Sequence, residues 1–271
     1  MADKRWKRWR SVVIRIMAVL TFILIWHILI VIARGGNPFL TNYNLQSLPT
    51  PKETFDALIE GLFPHATGPL YQASLLDHAG ASLLRVFEGF LIACLVGVPI
   101  GFFIGWNSTA NDFLGTIIEI LRPIPPIAWI PIGLLIFALN APIFIVFLGI
   151  VFPIILNAAQ GVRSIDKQFI EAAETLGAKR YNLLTKVVIP SAIPSIVTGM
   201  RIGIGIGWMC IVAAEMVGMR QGLGLGYYIW LAYDLYWIPS MIAGMVFIGI
   251  IGWIMNAVLE QFEKRLSRWR E

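Results

Sequence analysis

Long, continuously apolar stretches recur along this chain, and their length narrows its possible folds more than any other feature. Six of them, roughly 11–33, 85–106, 113–139, 142–162, 193–216 and 239–260, are long enough to cross a hydrocarbon layer of about 30 Å. Backbone groups in lipid must be hydrogen-bonded within their own helix or around a closed barrel. These runs lack the period-two polar alternation of a barrel strand, so helices are expected. The predicted fold class is all-α and integral to the membrane, with about six transmembrane helices. At 58% hydrophobic and 14% charged, the 271 residues leave no room for a soluble domain, and 1–271 is expected to form a single transmembrane domain. The first stretch is too long for a cleaved signal peptide and lacks a small-residue cleavage site.

Positive charge gathers in three places. Lys4, Arg5, Lys7, Arg8, Arg10 and Arg15 precede or open the first stretch, and Lys264, Arg265, Arg268 and Arg270 follow the last. Arg163, Lys167, Lys179, Arg180 and Lys186 lie between the fourth and fifth. Six crossings put all three clusters on one face, the cytoplasmic one by the bias of Lys and Arg, with both termini inside. The opposite segments, about 34–84 and 217–238, hold only Arg34, Lys52 and Arg220. Trp6 and Trp9 among the N-terminal cations fit an anchor at the lipid bilayer, so the net charge of +5 requires no nucleic acid.

Several local patterns have structural meaning. Thr50-Pro51-Lys52-Glu53 places a capping residue, a first-turn proline and a capping-box glutamate in order, predicting an external helix through about Leu62. Arg122-Pro123-Ile124-Pro125-Pro126 interrupts the third stretch, so a helix begun near Asp112 is expected to kink or break there. Broken helices line transport sites or shape a bundle, and both meanings stay open. Glu119 and Arg122 are spaced to share a helix face and pair. Gly199, Gly203 and Gly207 recur every fourth residue, a face on which another helix packs closely. Arg201 is placed to snorkel toward the cytoplasmic surface. Glu215, near the outer end of the fifth stretch, is either a pathway residue or an interfacial anchor.

Other signals point away from chemistry. Cys94 and Cys210 sit inside apolar stretches, and His27, His65 and His78 have no ligand spacing, so no metal site and no catalytic residue are expected. Asn107-Ser108-Thr109 matches a glycosylation acceptor but falls on the cytoplasmic side. Gly222-Leu223-Gly224-Leu225-Gly226 lacks the Lys-Ser/Thr that follows a phosphate loop.

The polar island at about 163–190 remains. Ile165–Leu176 reads as one short helix, Gly177 as its left-handed cap, and 179–188 as a second helix, after which Pro190 and Pro194 end the excursion as the chain re-enters the membrane. Ala172 and Ala173 permit close approach of another surface, and Glu171 offers a charge. A docking surface and an ordinary solvated loop both fit this pattern.

Glu171-Ala172-Ala173, then Gly177, then Val187, Ile189 and Pro190 resemble the signature loop of importer-type ATP-binding cassette permeases. The likeness covers nearly the whole chain. Residues 122–131 and 198–203 are similar to the nitrate, sulfonate, bicarbonate and taurine branch. The resemblance implies a type I ABC importer permease in a prokaryotic cytoplasmic (inner) membrane. It implies that Glu171, Ala172, Ala173, Gly177 and Pro190 couple the chain to an ATPase. The implied partners are two cytoplasmic ABC ATPase subunits, a second permease copy as a homodimer, and an extracytoplasmic solute-binding protein. No Gly-x4-Gly-Lys-Ser/Thr occurs here, so ATP and Mg are expected on the ATPase subunits and no cofactor on this chain. The implied cargo is a small oxyanion: taurine or an alkanesulfonate slightly ahead, nitrate or bicarbonate next. Glu119, Arg122, Trp129, Trp208 and Glu215 are its candidate pathway residues.

Two other classes compete. A secondary transporter driven by an ion gradient needs midplane carboxylates and paired repeats, and beyond Glu119 and Glu215 neither stands out. A membrane-embedded lipid-modifying enzyme needs a cluster of Asp or His, which is not visible.

Overall fold

The computed structural model describes residues 2–36, 45–63, 70, 73–218 and 222–266; His65, Arg220, Arg268 and Arg270 lie outside them. The described residues are helical or in turns, without a strand. They fall into two compact units. One comprises residues up to Leu75 together with Ile229–Phe247, and the other those from Leu76 to Tyr228 together with residues from Ile248 onward.

In the first unit, α1 (Ala2–Arg34) leads to α2 (Pro51–Leu62). The helix expected from Thr50 forms, with both halves of its capping box: Glu53 N–H donates to Thr50 Oγ1 at 3.3 Å, and Thr50 N–H donates to Glu53 Oε2 at 2.8 Å. Arg34, ending α1, grips the same carboxylate with two guanidinium nitrogens, each at 2.8 Å, and also donates to the Leu48 carbonyl at 3.1 Å. The paired guanidinium, with the Thr50 amide, holds the Glu53 carboxyl down to about 2.

The second unit is built around one helix. Here α3 (Leu75–Trp106) descends to a helical stretch α4 (108–121), which contains a π-helical turn at Asn111–Gly115. Then come a 3-10 turn Pro126–Trp129, α5 (Ile130–Phe137) and the long α6 (Ala141–Arg163). The island supplies α7 (Lys167–Thr175) and α8 (Arg180–Leu183), and α9 (Ile189–Gly218) follows. Two further helices, α10 (Leu225–Asp234) and α11 (Ile238–Leu266), each belong partly to one unit and partly to the other.

The centre is α6, where Ile145, Val146, Ile150, Ile154 and Ala158 are fully buried. Glycines make that burial possible on two sides. A Cβ on Gly89, Gly97, Gly101 or Gly105 of α3 would lie 3.0 Å or less from Val146, Ile154, Ile155 or Val162. From α9, a Cβ on Gly199, Gly203 or Gly207 would lie 2.6 to 2.9 Å from Asn157 or Ile150. Small residues let helix backbones approach in lipid, where association rests on packing rather than on water exclusion.

Three expectations change. Among the described residues, five helical segments are individually long and apolar enough to cross a membrane, against six apolar stretches in the sequence: Val13–Arg34, Leu75–Trp106, Pro126–Arg163, Arg180–Gly218 and Ile238–Glu263. The expected third crossing at 113–139 exists only as pieces, because the prolines at 123, 125 and 126 lack the N–H that would continue α4. The second difference lies after the island. The helix does not stop at Pro190 or Pro194; a π-helical turn at Leu184–Val188 joins α8 to α9, and Pro194 lies inside α9. The wider π turn leaves room at Lys186, whose carbonyl the Pro190 ring would otherwise strike. Third, Arg201 does not simply snorkel: it donates to Glu263 of α11 at 2.6 Å, and Thr198 donates to the same carboxylate at 2.8 Å.

Two measurements check these interactions. Gly101→Ala sets a methyl 2.5 Å from the Ile155 carbonyl oxygen, and the overpacking is expected to cost about 1–3 kcal/mol in thermal unfolding. Gly205→Ala meets nothing within 4 Å, and is expected to leave the midpoint unchanged or raise it. Because folding lowers the Glu53 pKa, its pairing is intact above about pH 4.5 and is lost as pH falls toward about 2. Hydrogen-exchange protection factors across α2 should therefore fall over that acid window, and Glu53→Gln should be less protected already at pH 7, with protection that no longer falls in acid.

Candidate functional site

The island forms an exposed helix with a defined stop. Asp166 caps α7 by accepting from Gln168 N–H at 3.0 Å. At the other end Gly177 takes φ +79°. Its N–H donates to Glu174 O at 2.9 Å, and Ala178 N–H donates to Ala173 O at 3.0 Å. These two bonds make a Schellman motif, which needs a left-handed residue at Gly177. The inward face of α7 is thin: Ile165, Ile170 and Ala173 pack on Ala158, Val162, Leu183, Val188, Ala192 and Ile196. Outward stand Phe169, Leu176 and, from α8, Tyr181, at 64, 88 and 74% exposure, beside exposed Glu171, Ala172 and Gly177. Pro190 lies across a cavity of about 280 Å³ from Ser164, Asp166 and Phe169. The loop thus presents apolar and acidic side chains to whatever surrounds it, on a backbone fixed at both ends.

The candidate pathway residues separate into groups. Glu119 and Arg122 line one cavity of about 430 Å³, with Asn111, Asn157, Gln160 and Arg163. No ion pair joins Glu119 to Arg122 among the described residues, contrary to their spacing. Arg163 donates to Asn111 Oδ1 and, at 3.5 Å, to the Ile104 carbonyl. Trp129 packs against the cluster of Ile130, Ile145, Cys210 and Ala214. Trp208 is buried, donates to the Ile248 carbonyl at 3.3 Å and faces Gly252, whose Cβ would lie 2.9 Å from Nε1.

Glu215 belongs to a third, wholly different setting. Its carboxylate is fully buried and accepts from Ser82 Oγ at 2.8 and 3.0 Å, Arg85 Nη1 at 2.7 Å and Gly226 N–H at 3.1 Å. Arg85 also donates to the Leu223 carbonyl at 2.7 Å, and Leu225 N–H donates to Ser82 Oγ at 2.9 Å. His78 Nδ1 lies 3.0 Å from both the nitrogen and the carbonyl oxygen of Gly224, so its tautomer decides which bond forms. A Cβ on Gly224 would sit 2.5 Å from the Glu215 carboxyl carbon, and one on Gly226 would sit 2.1 Å from the Val212 carbonyl oxygen. The glycine-rich run is therefore shaped to let backbone close over a carboxylate.

Sequence reasoning missed Ser82, Arg85, Asn111, Asn157, Gln160 and Arg163 as site residues. The available signal was polar spacing within apolar runs: Ser82 and Arg85 are three apart, as are Asn157, Gln160 and Arg163.

Residues 97–271 match the family described as the binding-protein-dependent transport system inner membrane component. The chain belongs to that family. The permease is 44% identical over 218 residues to a putative ABC transporter permease protein of Methanocaldococcus jannaschii, covering 80% of this chain and 81% of that one. It is 35% identical over 269 residues to the bicarbonate transport system permease protein of Synechococcus elongatus, covering 97% and 92%. Against the taurine transport system permease protein of Escherichia coli it is 33% identical, covering 82% and 80%. Among solved structures, a chain of the MetNI methionine ABC transporter in an inward-facing form superposes with TM-score 0.57 at 21% identity, over 69% of this chain and 94% of that one. That likeness carries the fold, which is the type I importer permease fold. The permease is a multi-pass inner-membrane component of the branch that contains bicarbonate, taurine and nitrate permeases.

Glu215→Gln tests the buried network. The amide turns one donor toward groups that are themselves donors and leaves Arg85 uncompensated, so about 3 kcal/mol of stability should be lost. Backbone amides at 224–226 should lose hydrogen-exchange protection before those of α6 do.

Proposed function

We infer that this chain is the membrane-spanning half of an ATP-driven importer, and that α7 couples it to a separate ATPase subunit. The observation that carries this reading is the face of α7. A nine-residue helix with a capping residue at one end and a Schellman stop at the other holds Phe169, Glu171, Ala172 and Leu176 outward. Exposed side chains on a fixed backbone suit a rigid docking element. Two such ATPase subunits, binding ATP and Mg, would close and drive two copies of this chain between inward- and outward-open states. This chain itself performs no hydrolysis in that scheme. A solute-binding protein outside the membrane would deliver the cargo. The cargo class is a small oxyanion, since the named relatives carry bicarbonate, taurine and nitrate; these share an oxygen-rich anionic group.

The loop is tested by Glu171→Lys and Gly177→Asp in the assembled transporter. Both are expected to abolish copurification of the ATPase and cargo-stimulated ATP hydrolysis while leaving the permease folded. Retention of both properties in both variants would remove the coupling role.

A further inference from the structure

Two cavities of the second unit share part of their lining, here called the neck. The polar one, about 430 Å³, reaches from Arg163 to Asn157 along α6. The other, about 330 Å³, runs on past Pro153 to Gly149, and among the described residues its only polar side chains are Arg122 and Asn157. Arg122, Leu156 and Asn157 line both. At a rise of 1.5 Å per residue, the neck lies roughly 9 Å from the Arg163 level, and the far end of the second cavity roughly 12 Å beyond it. The charge distribution assigns the Arg163 end to the cytoplasm.

The chemistry at the neck is one-sided. Arg122 stands where prolines end α4, and its guanidinium has no hydrogen-bond or ion-pair partner among the described residues. Asn157 spends one N–H on the Pro153 carbonyl at 2.9 Å and keeps its other amide hydrogen. A cation with five donors, beside an amide and facing an otherwise apolar chamber, matches an anion with several oxygens. Glu119 lies one helical turn from Arg122 on the polar side only. A carboxylate placed there opposes any anion resting at the neck.

We propose that Arg122 and Asn157 form a transient binding site for the oxyanion cargo, from which Glu119 hastens departure past Gln160 and Arg163. This site rests on the oxyanion-import reading above and gives that reading its residues. It divides labour between two charges of opposite sign: Arg122 admits the anion, and Glu119 keeps it from staying.

The test uses the assembled transporter in nanodiscs, titrated calorimetrically with nitrate, bicarbonate and taurine, with choline as the cationic control. Initial uptake in vesicles is measured alongside. Arg122→Gln and Asn157→Ala should each weaken binding of the transported anion, Arg122→Gln by about tenfold, the worth of one charge-assisted contact. Arg122→Lys should fall between Arg122→Gln and the parent, keeping charge without the fork. Glu119→Gln should bind more tightly and turn over more slowly, an effect that misfolding does not produce. Anion uptake with binding unaltered in all four variants, or no anion binding at all, overturns the neck and leaves the oxyanion reading in place. Binding and uptake of choline, with none of the three anions transported, overturns both.

Discussion

The close approach of α3 and α9 to α6 is the interaction on which the rest of the second unit depends. It exists because glycines replace side chains where backbones meet, at Gly101 and Gly105 on one side and Gly203 and Gly207 on the other. In lipid no water is gained by separating these surfaces, so contact density has to supply the association. With α6 fixed between two helices, it carries Asn157, Gln160 and Arg163 along a cavity wall, Asn157 also meeting Gly199 of α9. The same helix ends directly before the island, so the position of α7 follows from the packing of α6.

Much of this was legible locally. Apolar length gave the helical membrane fold, Thr50 and Glu53 gave the capping box, and Gly177 gave the left-handed stop, because each depends on neighbours within a turn. The prolines after Arg122 announced a break for the same reason. What stayed hidden depends on partners far along the chain. Glu215 meets Ser82 across 133 residues, and Arg201 meets Glu263 across 62. Continuity through Pro190 was also missed, because proline reads as a stop unless a π turn makes room before it. For Glu119 and Arg122, helical spacing permitted a pair, and Arg122 keeps helical φ and ψ as the cap of that stretch, yet no ion pair joins them among the described residues.

Charge is handled unevenly across the chain, and the unevenness is informative. Arg34, Arg85 and Arg201 each hold a carboxylate at 2.6 to 2.8 Å. Arg122 holds none. An ionisable group in a membrane segment is costly unless it is paired or faces a water-filled space, and two cavities adjoin Arg122. The glycine-rich run makes the opposite arrangement. Its backbone amide closes over an anion as a phosphate loop does, but the anion is the chain's own Glu215.

The unbroken course from Arg180 to Gly218 has a mechanical consequence. Its thirty-nine residues continue through the π turn and Pro194, about 58 Å at helical rise. Such a rod cannot shorten appreciably; force applied beside α7 tilts it, slides it or bends it at the π turn or Pro194. Its far end carries Glu215, whose carboxylate is held by Ser82, Arg85 and Gly226. Any tilt is therefore levered onto those few bonds, where an ångström of travel separates a made contact from a broken one.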